Sequence, residues 1–200
     1  MFTPKLKDFL GVQIKSGTSQ SEYIGSGHTG KELTGDLRTS FEISLTYDWF
    51  PRSAIEMGFR SSGVEQVLLV RNIDNSQYLP GYSWSDTYSS RYNEIPLAVT
   101  LKLFPIKRYS SMSLLTGYSY GWVGRIKNLP STFDLARTEN LHALHIGARA
   151  SIKLHSRFYI NADMRKTAVV TDMNKDRYYT SKLTVTSFLL GIGYKFGQCD

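Results

Sequence analysis

Side chains that alternate every two residues between large apolar and small or polar types are the feature that most constrains this chain. The pattern is clearest in residues 183–196, LTVTSFLLGIGYKF. From Phe188 onward one set is bulky and apolar and ends in Tyr194 and Phe196, whereas the other is mostly small and ends in Lys195. A period of two places these sets on opposite faces of a sheet. The stretch therefore predicts a β-strand with one large apolar face and one glycine-rich face.

Seven further stretches alternate in the same way, so the chain is predicted to form eight strands. The predicted strands cover residues 8–16, 39–50, 53–61, 91–104, 111–124, 141–154, 157–167 and 182–196. The connections between them alternate long, short, long, short, long, short, long. Short turns at one end and long loops at the other are typical of an up-and-down barrel. We therefore predict an all-β fold with a single domain over residues 1–200.

The polarity of the two faces favours a transmembrane barrel over a soluble one. Glycines such as Gly117 and Gly147 lie on the polar faces, where they suit a crowded interior. Aromatic residues near the strand ends of the apolar faces suit an interfacial girdle. The predicted girdle residues are Tyr47, Trp49, Tyr120 and Trp122. The sequence thus predicts an eight-stranded antiparallel up-and-down transmembrane β-barrel. The alternative is a soluble lipocalin-like carrier, which would have its apolar faces inside.

Charged residues at inward-facing positions are expected to fill this barrel. An interior of eight strands is just wide enough for its own side chains, and buried charges must be paired. The sequence therefore predicts a lumen ion-pair network rather than an open pore, although a small-solute channel stays an alternative. The inward-facing charged residues are Lys15, Glu42, Asp48, Glu56, Arg60, Glu94, Lys102, Arg149, Lys153, Asp163 and Arg165.

Composition and motifs argue against several other classes of protein. The net charge of +7 is spread along the chain and no nucleic-acid motif accompanies it, so lipopolysaccharide is a better expected partner than nucleic acid. The single cysteine, Cys199, excludes an internal disulfide. Phosphate loops, zinc motifs and nucleophile elbows are absent from the sequence. We therefore predict no catalytic residue, cofactor or metal.

Two histidines, His142 and His145, fall on opposite faces of one predicted strand. That placement argues against a chelating pair. His145 is expected to be a hydrogen-bonded lumen residue. His142 is expected on the lipid face near the extracellular rim, and it keeps a lipid A-modifying enzyme open as the least favoured alternative.

Three short pieces of the sequence resemble the PorT-like family of outer-membrane β-barrels. They are residues 92–97 (YNEIPL), 114–121 (LLTGYSYG) and 190–196 (LGIGYKF). The resemblance implies an outer-membrane location in a diderm bacterium, and some members of that family are linked to type IX protein secretion. The spacing of Gly191, Tyr194 and Phe196 also resembles the C-terminal insertion signal of outer-membrane barrels, which implies recognition by the barrel-assembly machinery.

The expected function is non-enzymatic binding or docking through extracellular loops, as an accessory subunit of a secretion or surface complex. Loops on a rigid scaffold commonly carry binding, and Tyr78, Tyr82 and Trp84 bring aromatic rings into an otherwise polar connection. The expected partners are the lipid bilayer, lipopolysaccharide and other envelope proteins. Residues 1–10, MFTPKLKDFL, contain no apolar core of signal-peptide length, so the chain is expected to be the mature form.

Overall fold

The stretches of two-residue alternation form β-strands that join into one antiparallel sheet. The computed structural model describes residues 10–26, 32–34, 36–71, 83–107, 110–124, 140–171 and 180–196. The strands in this described part are β1 (Leu10–Ser26), β2 (Glu32–Thr34), β3 (Arg38–Phe50), β4 (Ser53–Arg71), β5 (Ser83–Lys107), β6 (Ser110–Val123), β7 (Leu141–Lys153), β8 (Phe158–Val169) and β9 (Thr180–Lys195). Among the residues that the structure describes, no helix is long and apolar enough to span a membrane.

The sheet closes on itself, because β9 pairs with β1 as well as with β8. Eight strands, β1 and β3 to β9, form the barrel, and each pairs with the next in the chain. The short β2 pairs with β1 beyond the segment of β1 that pairs with β3, and there Tyr23 lies opposite Leu33. The predicted eight-stranded antiparallel barrel is confirmed.

The strands are staggered around the barrel. Paired residues can be followed from strand to strand around the barrel, starting from Leu10 of β1 and Tyr47 of β3 and ending at Thr186 of β9. Thr186 is opposite Gln20 of β1, so the path returns to β1 ten residues beyond its start. Such a stagger accompanies strands that tilt relative to the barrel axis, and with eight strands it leaves an interior that side chains fill.

The outer surface of this barrel is apolar and its interior is largely polar. Leu97, Leu144 and Ile146 point outward, and each is at least half exposed. Inward-facing neighbours such as Ser44 and Asn161 are almost fully buried. An apolar belt around a polar interior is the arrangement of a membrane-spanning barrel, and it is opposite to that of a lipocalin-like carrier.

Two strands extend well into a region predicted to be a loop. The long connection predicted between residues 61 and 91 contains the last part of β4 and the first part of β5, which pair in one continuous register out to Arg71 and Ser83. The described pairing of β4 with β3 ends at Ser62 and Ser40. Beyond Ser62, the described pairing of β4 is with β5 alone.

The first predicted loop is also partly strand. β1 continues past the predicted end at residue 16 to Ser26, which lies opposite Thr180 of β9. Residues 17–26 are rich in glycine, serine and threonine, and this composition resembles a loop. Pairing to β9 uses backbone groups, however, so the strand forms despite its side chains.

Pro96 lies in the middle of β5 and not at a bulge or at the start of the strand, although proline cannot donate a hydrogen bond to a neighbouring strand. The pairing of β5 with β4 passes from Leu97–Met57 to Glu94–Arg60 without a change of register. The irregularities of β5 fall instead near its end, at residues 102–107, where the register with β6 shifts twice.

Candidate functional site

Eight charged side chains meet in the middle of the lumen. They belong to inward-facing positions of six strands, and each residue is at most 5% exposed. We call this group the central cluster, and it consists of Lys15, Glu42, Glu56, Arg60, Glu94, Arg149, Asp163 and Arg165. It contains four cations and four carboxylates, so its formal charges balance.

Lys15 lies at the centre of this cluster, among three carboxylates. Its Nζ is 2.6 Å from Oε1 of Glu42, 3.0 Å from Oε1 of Glu56 and 2.9 Å from Oδ2 of Asp163. Oxygen atoms of these three residues lie within 4.8 Å of one another, a spacing that could also hold a metal ion. The lysine ammonium occupies this position and supplies the compensating positive charge.

Two arginines tie the remaining carboxylates to the cluster. Arg60 reaches Glu42 at 2.5 Å through Nη2 and Glu94 at 2.8 Å through Nη1. Arg149 donates two parallel hydrogen bonds of 2.7 Å to Asp163 and also contacts Glu56 at 2.7 Å. Bidentate, charge-assisted contacts of this kind are among the stronger polar interactions in proteins.

Arg165 makes longer contacts, and they are with carboxylates that Arg60 or Arg149 also binds. Its guanidinium lies 3.6 Å from Glu42, 3.5 Å from Glu56 and 3.6 Å from Asp163. Burial of an ion is costly unless opposite charges surround it, and every ion of the cluster has such a partner. The cluster thus fills the cross-section of the barrel with mutually neutralised charge.

An apolar layer covers the cluster on the side of the long connections. Its side chains point into the barrel from β4, β5, β7, β8 and β9, and each is at most 3% exposed. The layer consists of Val64, Tyr92, Leu141, Ala143, Val169, Leu183 and Val185. The sequence analysis missed this layer, because residues 64, 92 and 183 sit at the edges of stretches assigned to loops. The apolar residues Leu183 and Val185 on the inward face of β9 were the sequence signal that could have revealed this layer.

The short-turn end of the barrel holds a cavity of about 340 Å³. Among the residues that the structure describes, five cations line it: Lys102, Arg149, Lys153, Arg157 and Lys195. The one carboxylate among these described lining residues is that of Asp48, which pairs with Lys195. We call this cavity the basic cup.

The predicted network is therefore divided between two places. Eight of the eleven predicted residues form the central cluster, whereas Asp48, Lys102 and Lys153 line the basic cup. Between the two lies a layer of uncharged hydrogen bonds, in which Asn161 donates to Gln13 at 3.0 Å and accepts from Ser151 at 2.7 Å. Arg149 is shared, since its guanidinium belongs to the cluster and also closes the inner end of the cup.

The two histidines lie on opposite faces of β7. His145 is buried in the lumen, but among the described residues its ring nitrogens have no hydrogen-bond partner, which corrects the expected hydrogen-bonded role. Its Nε2 lies beside Gly117, where a β-carbon would be 2.7 Å away. His142 faces outward, and its Nδ1 is hydrogen-bonded to the hydroxyl of Tyr118. The sequence analysis named no partner for His142, although Tyr118 lies on the same face one strand away.

The aromatic residues form two groups at opposite ends of the apolar belt. Trp49 stacks on Phe50 at the short-turn end, with ring centres 5.2 Å apart, and Tyr47 precedes them on the same strand. Toward the long connections, Trp122 packs 6.2 Å from Phe59, and the hydroxyl of Tyr120 donates to Asn140 at 2.5 Å.

The last strand brings its own aromatic residues to the short-turn end. Tyr194 packs between Phe158 and Phe196, with ring centres 5.0 Å and 5.5 Å away. The backbone N–H of Phe196 donates to the carbonyl of Leu10 at 2.9 Å, so the predicted insertion signal lies at the closing seam of the barrel. Gly191 faces Lys15, where a larger side chain would meet the β1 backbone.

The predicted loop contacts lie mostly outside the described residues. This applies to Tyr78 and Tyr82. Trp84 lies in the extended part of β5, where its backbone is opposite Val70. It is thus part of a strand rather than of a loop.

Comparisons with known proteins identify the fold. No family model and no curated protein matches the sequence. Among solved structures, neisserial surface protein A is 11% identical with a TM-score of 0.60, and the match covers 93% of this chain and 96% of that one. The outer membrane protein OprG from Pseudomonas aeruginosa is 12% identical with a TM-score of 0.58, over 95% and 98% of the two chains. The outer membrane protease OmpT from Escherichia coli is 8% identical with a TM-score of 0.51, over 94% and 97%.

By fold, the chain is a small bacterial outer-membrane β-barrel. In barrels of this class the apolar belt generally faces the bilayer, the short turns face the periplasm and the longer loops face the cell exterior. At these identities the likeness concerns the fold alone. The PorT-like assignment therefore stays a prediction, and so does the absence of enzymatic activity, since OmpT is a protease on a related barrel.

Proposed function

We propose that this chain is a closed, non-enzymatic outer-membrane scaffold that presents its extracellular segments for binding, as an accessory subunit of a secretion or surface complex. The central cluster is the observation that carries the proposal. Its eight side chains neutralise one another across the lumen, and an apolar layer lies above them. A solute would have to break several buried ion pairs to pass, so a scaffold fits this interior better than a channel does.

The extended ribbon of β4 and β5 supports the binding part of the proposal. A membrane-spanning strand needs about 9–11 residues. β4 has 19 residues and β5 has 25, so both continue beyond the bilayer on the extracellular side. Residues 72–82 join these two strands in sequence, and we infer that they are the segment a partner would contact.

The accessory role in a secretion or surface complex rests on the PorT-like resemblance of residues 92–97, 114–121 and 190–196. The same resemblance supports insertion by the barrel-assembly machinery through Gly191, Tyr194 and Phe196. Lipopolysaccharide would surround the extracellular half of the belt, where Tyr120 and Trp122 lie.

Site-specific photo-crosslinking in the native cell envelope tests the binding role. A photoreactive amino acid is placed at Tyr78 or Tyr82 and, as a matched control, at Leu144 in the belt. We expect discrete protein adducts from positions 78 and 82, and only lipid adducts from position 144. An assembled barrel that forms no protein adduct at either extracellular position would contradict the proposal.

A further inference from the structure

The basic cup carries more positive charge than its own carboxylates can neutralise. Arg149 is matched by Glu56 and Asp163, and Lys195 is matched by Asp48. Lys153 and Arg157 line the same cavity, and the lining residues described by the structure include no second carboxylate. The cup therefore differs from the neutral central cluster directly above it.

We propose that the basic cup binds a small multivalent anion, bearing carboxylate or phosphate groups, that enters from the periplasm. Clefts lined by charges of one sign with low-dielectric walls concentrate counter-ions. The proposal is independent of the extracellular binding role, since the two sites lie at opposite ends of the barrel.

The size and lining of the cup match such a ligand. Its volume of about 340 Å³ lies near the lower end of small-molecule pockets, which span roughly 300–1,000 Å³. Hydroxyl and amide groups that can donate to carboxylate or phosphate oxygens line the wall between the cations. These residues are Gln13, Thr46, Thr100, Ser113 and Asn161.

The inner end of the cup is blocked. Arg149 lies there, with contacts of 2.7 Å to both Glu56 and Asp163. An anion that enters would therefore meet a guanidinium already held in place, and it would stay in the cup rather than cross the barrel.

Two aromatic residues shape the entrance. The ring of Tyr159 lies on Gly193, so closely that a β-carbon there would be 2.1 Å from Cζ of the ring. The guanidinium of Arg157 donates to the hydroxyl of Tyr194 at 3.2 Å, which holds the positive charge at the rim. Glycine at position 193 is thus needed for Tyr159 to form one wall of the cup.

Isothermal titration calorimetry on the full chain, folded in zwitterionic detergent at low ionic strength, tests the proposal. Citrate and pyrophosphate are the probes, and uncharged sucrose is the control ligand. We expect saturable binding of at least one anion, an affinity that falls as salt rises, and no binding of sucrose. The anion with the higher affinity assigns the site to carboxylates or to phosphates.

A pair of variants with equal charge change identifies the location. Lys153→Gln with Arg157→Gln removes two cations from the cup, and we expect at least a tenfold loss of affinity. Lys166→Gln with Lys182→Gln removes two cations from the outer surface and should leave the affinity unchanged. A heat-modifiability gel confirms that each variant is folded, and Lys153→Gln alone replaces the first pair if that pair does not fold. Equal losses in both pairs, or no binding of either anion, would overturn the proposal.

Discussion

The central cluster and the basic cup are built from the same strands, yet carboxylates balance the cations in the cluster and do not balance them in the cup. β3 supplies Glu42 to the cluster and Asp48 to the cup, and β7 supplies Arg149 and, four residues later, Lys153. In the cluster four cations meet four carboxylates, all buried. In the cup, Lys153 and Arg157 lie near the pair of Asp48 and Lys195, and the described lining residues include no second carboxylate. Burial explains the difference, because an unpaired ion is costly only where water cannot reach it.

This comparison separates two roles for inward-facing charge. Balanced and buried charge is part of the packing of the barrel, and the protein depends on it for stability. Unbalanced and hydrated charge contributes little to stability and is available to a ligand. The two regions should therefore respond differently to the loss of one charge.

The largest effect is expected from Arg60→Ala in the central cluster. Its removal leaves Glu42 and Glu94 without a principal partner, and we expect a loss of about 3–5 kcal/mol in the free energy of unfolding. Urea titration of the barrel folded in lipid vesicles measures it. The matched change in the cup, Lys153→Ala, should shift the free energy by no more than about 0.5 kcal/mol. Equal losses for both variants would remove the distinction between the regions.

An intermediate effect is expected from Gly191→Val, which crowds Lys15 without removing a charge. A β-carbon at position 191 would lie 2.3 Å from the carbonyl oxygen of Ile14 and 2.5 Å from Cγ of Lys15. Overpacking of this kind costs about 1–3 kcal/mol. Gly124→Ala is the control, because the nearest atom to its new β-carbon is 3.4 Å away. If the two variants unfold at the same urea concentration, displacing Lys15 does not lower the stability of the barrel, and the prediction is wrong.

The smallest effect is expected from Asp48→Asn at the rim of the cup. The side chains of Asp48 and Lys195 are 22% and 25% exposed, so water already screens their ion pair. We expect a loss of about 0.2–1 kcal/mol that shrinks as salt is added. Urea titrations at two salt concentrations measure it. A loss as large as that of Arg60→Ala, with no dependence on salt, would mean that Asp48 contributes to stability as the buried carboxylates of the cluster do.

The sequence was sufficient to predict the faces of the barrel. Alternation placed Glu42, Arg60 and Arg149 on one set of faces and Leu97 and Ile146 on the other, because side chains on a strand change face at every residue. The glycines and the aromatic residues of these faces then favoured the polar set as the interior. The strand count followed from the same signal.

The sequence was not sufficient to divide the inward charges between cluster and cup. Glu42 and Asp48 lie on the same face of β3, and alternation does not distinguish them. Their partners depend on the stagger of eight strands, which joins Lys15 to Asp163 across 148 residues of chain. That stagger is a property of the whole closed sheet.

Local composition also concealed the extended strands. Residues 17–26 are rich in small polar side chains, and residues 64–70 lose the alternation that marks a strand inside the barrel. Both segments form strands because a neighbouring strand supplies backbone partners, as Thr180 does for Ser26. The apolar layer was missed for the same reason, since Val64 lies in one of these segments.

Single-channel recording in planar lipid bilayers tests the central claim, that the cluster closes the lumen, most directly. With insertion verified by a heat-modifiability gel on protein recovered from the membrane, we predict no steady current steps at any moderate voltage. A general diffusion porin inserted into the same bilayers serves as the positive control for current recording. Reproducible open-channel currents from the unaltered chain would contradict the closed lumen and would favour a small-solute channel.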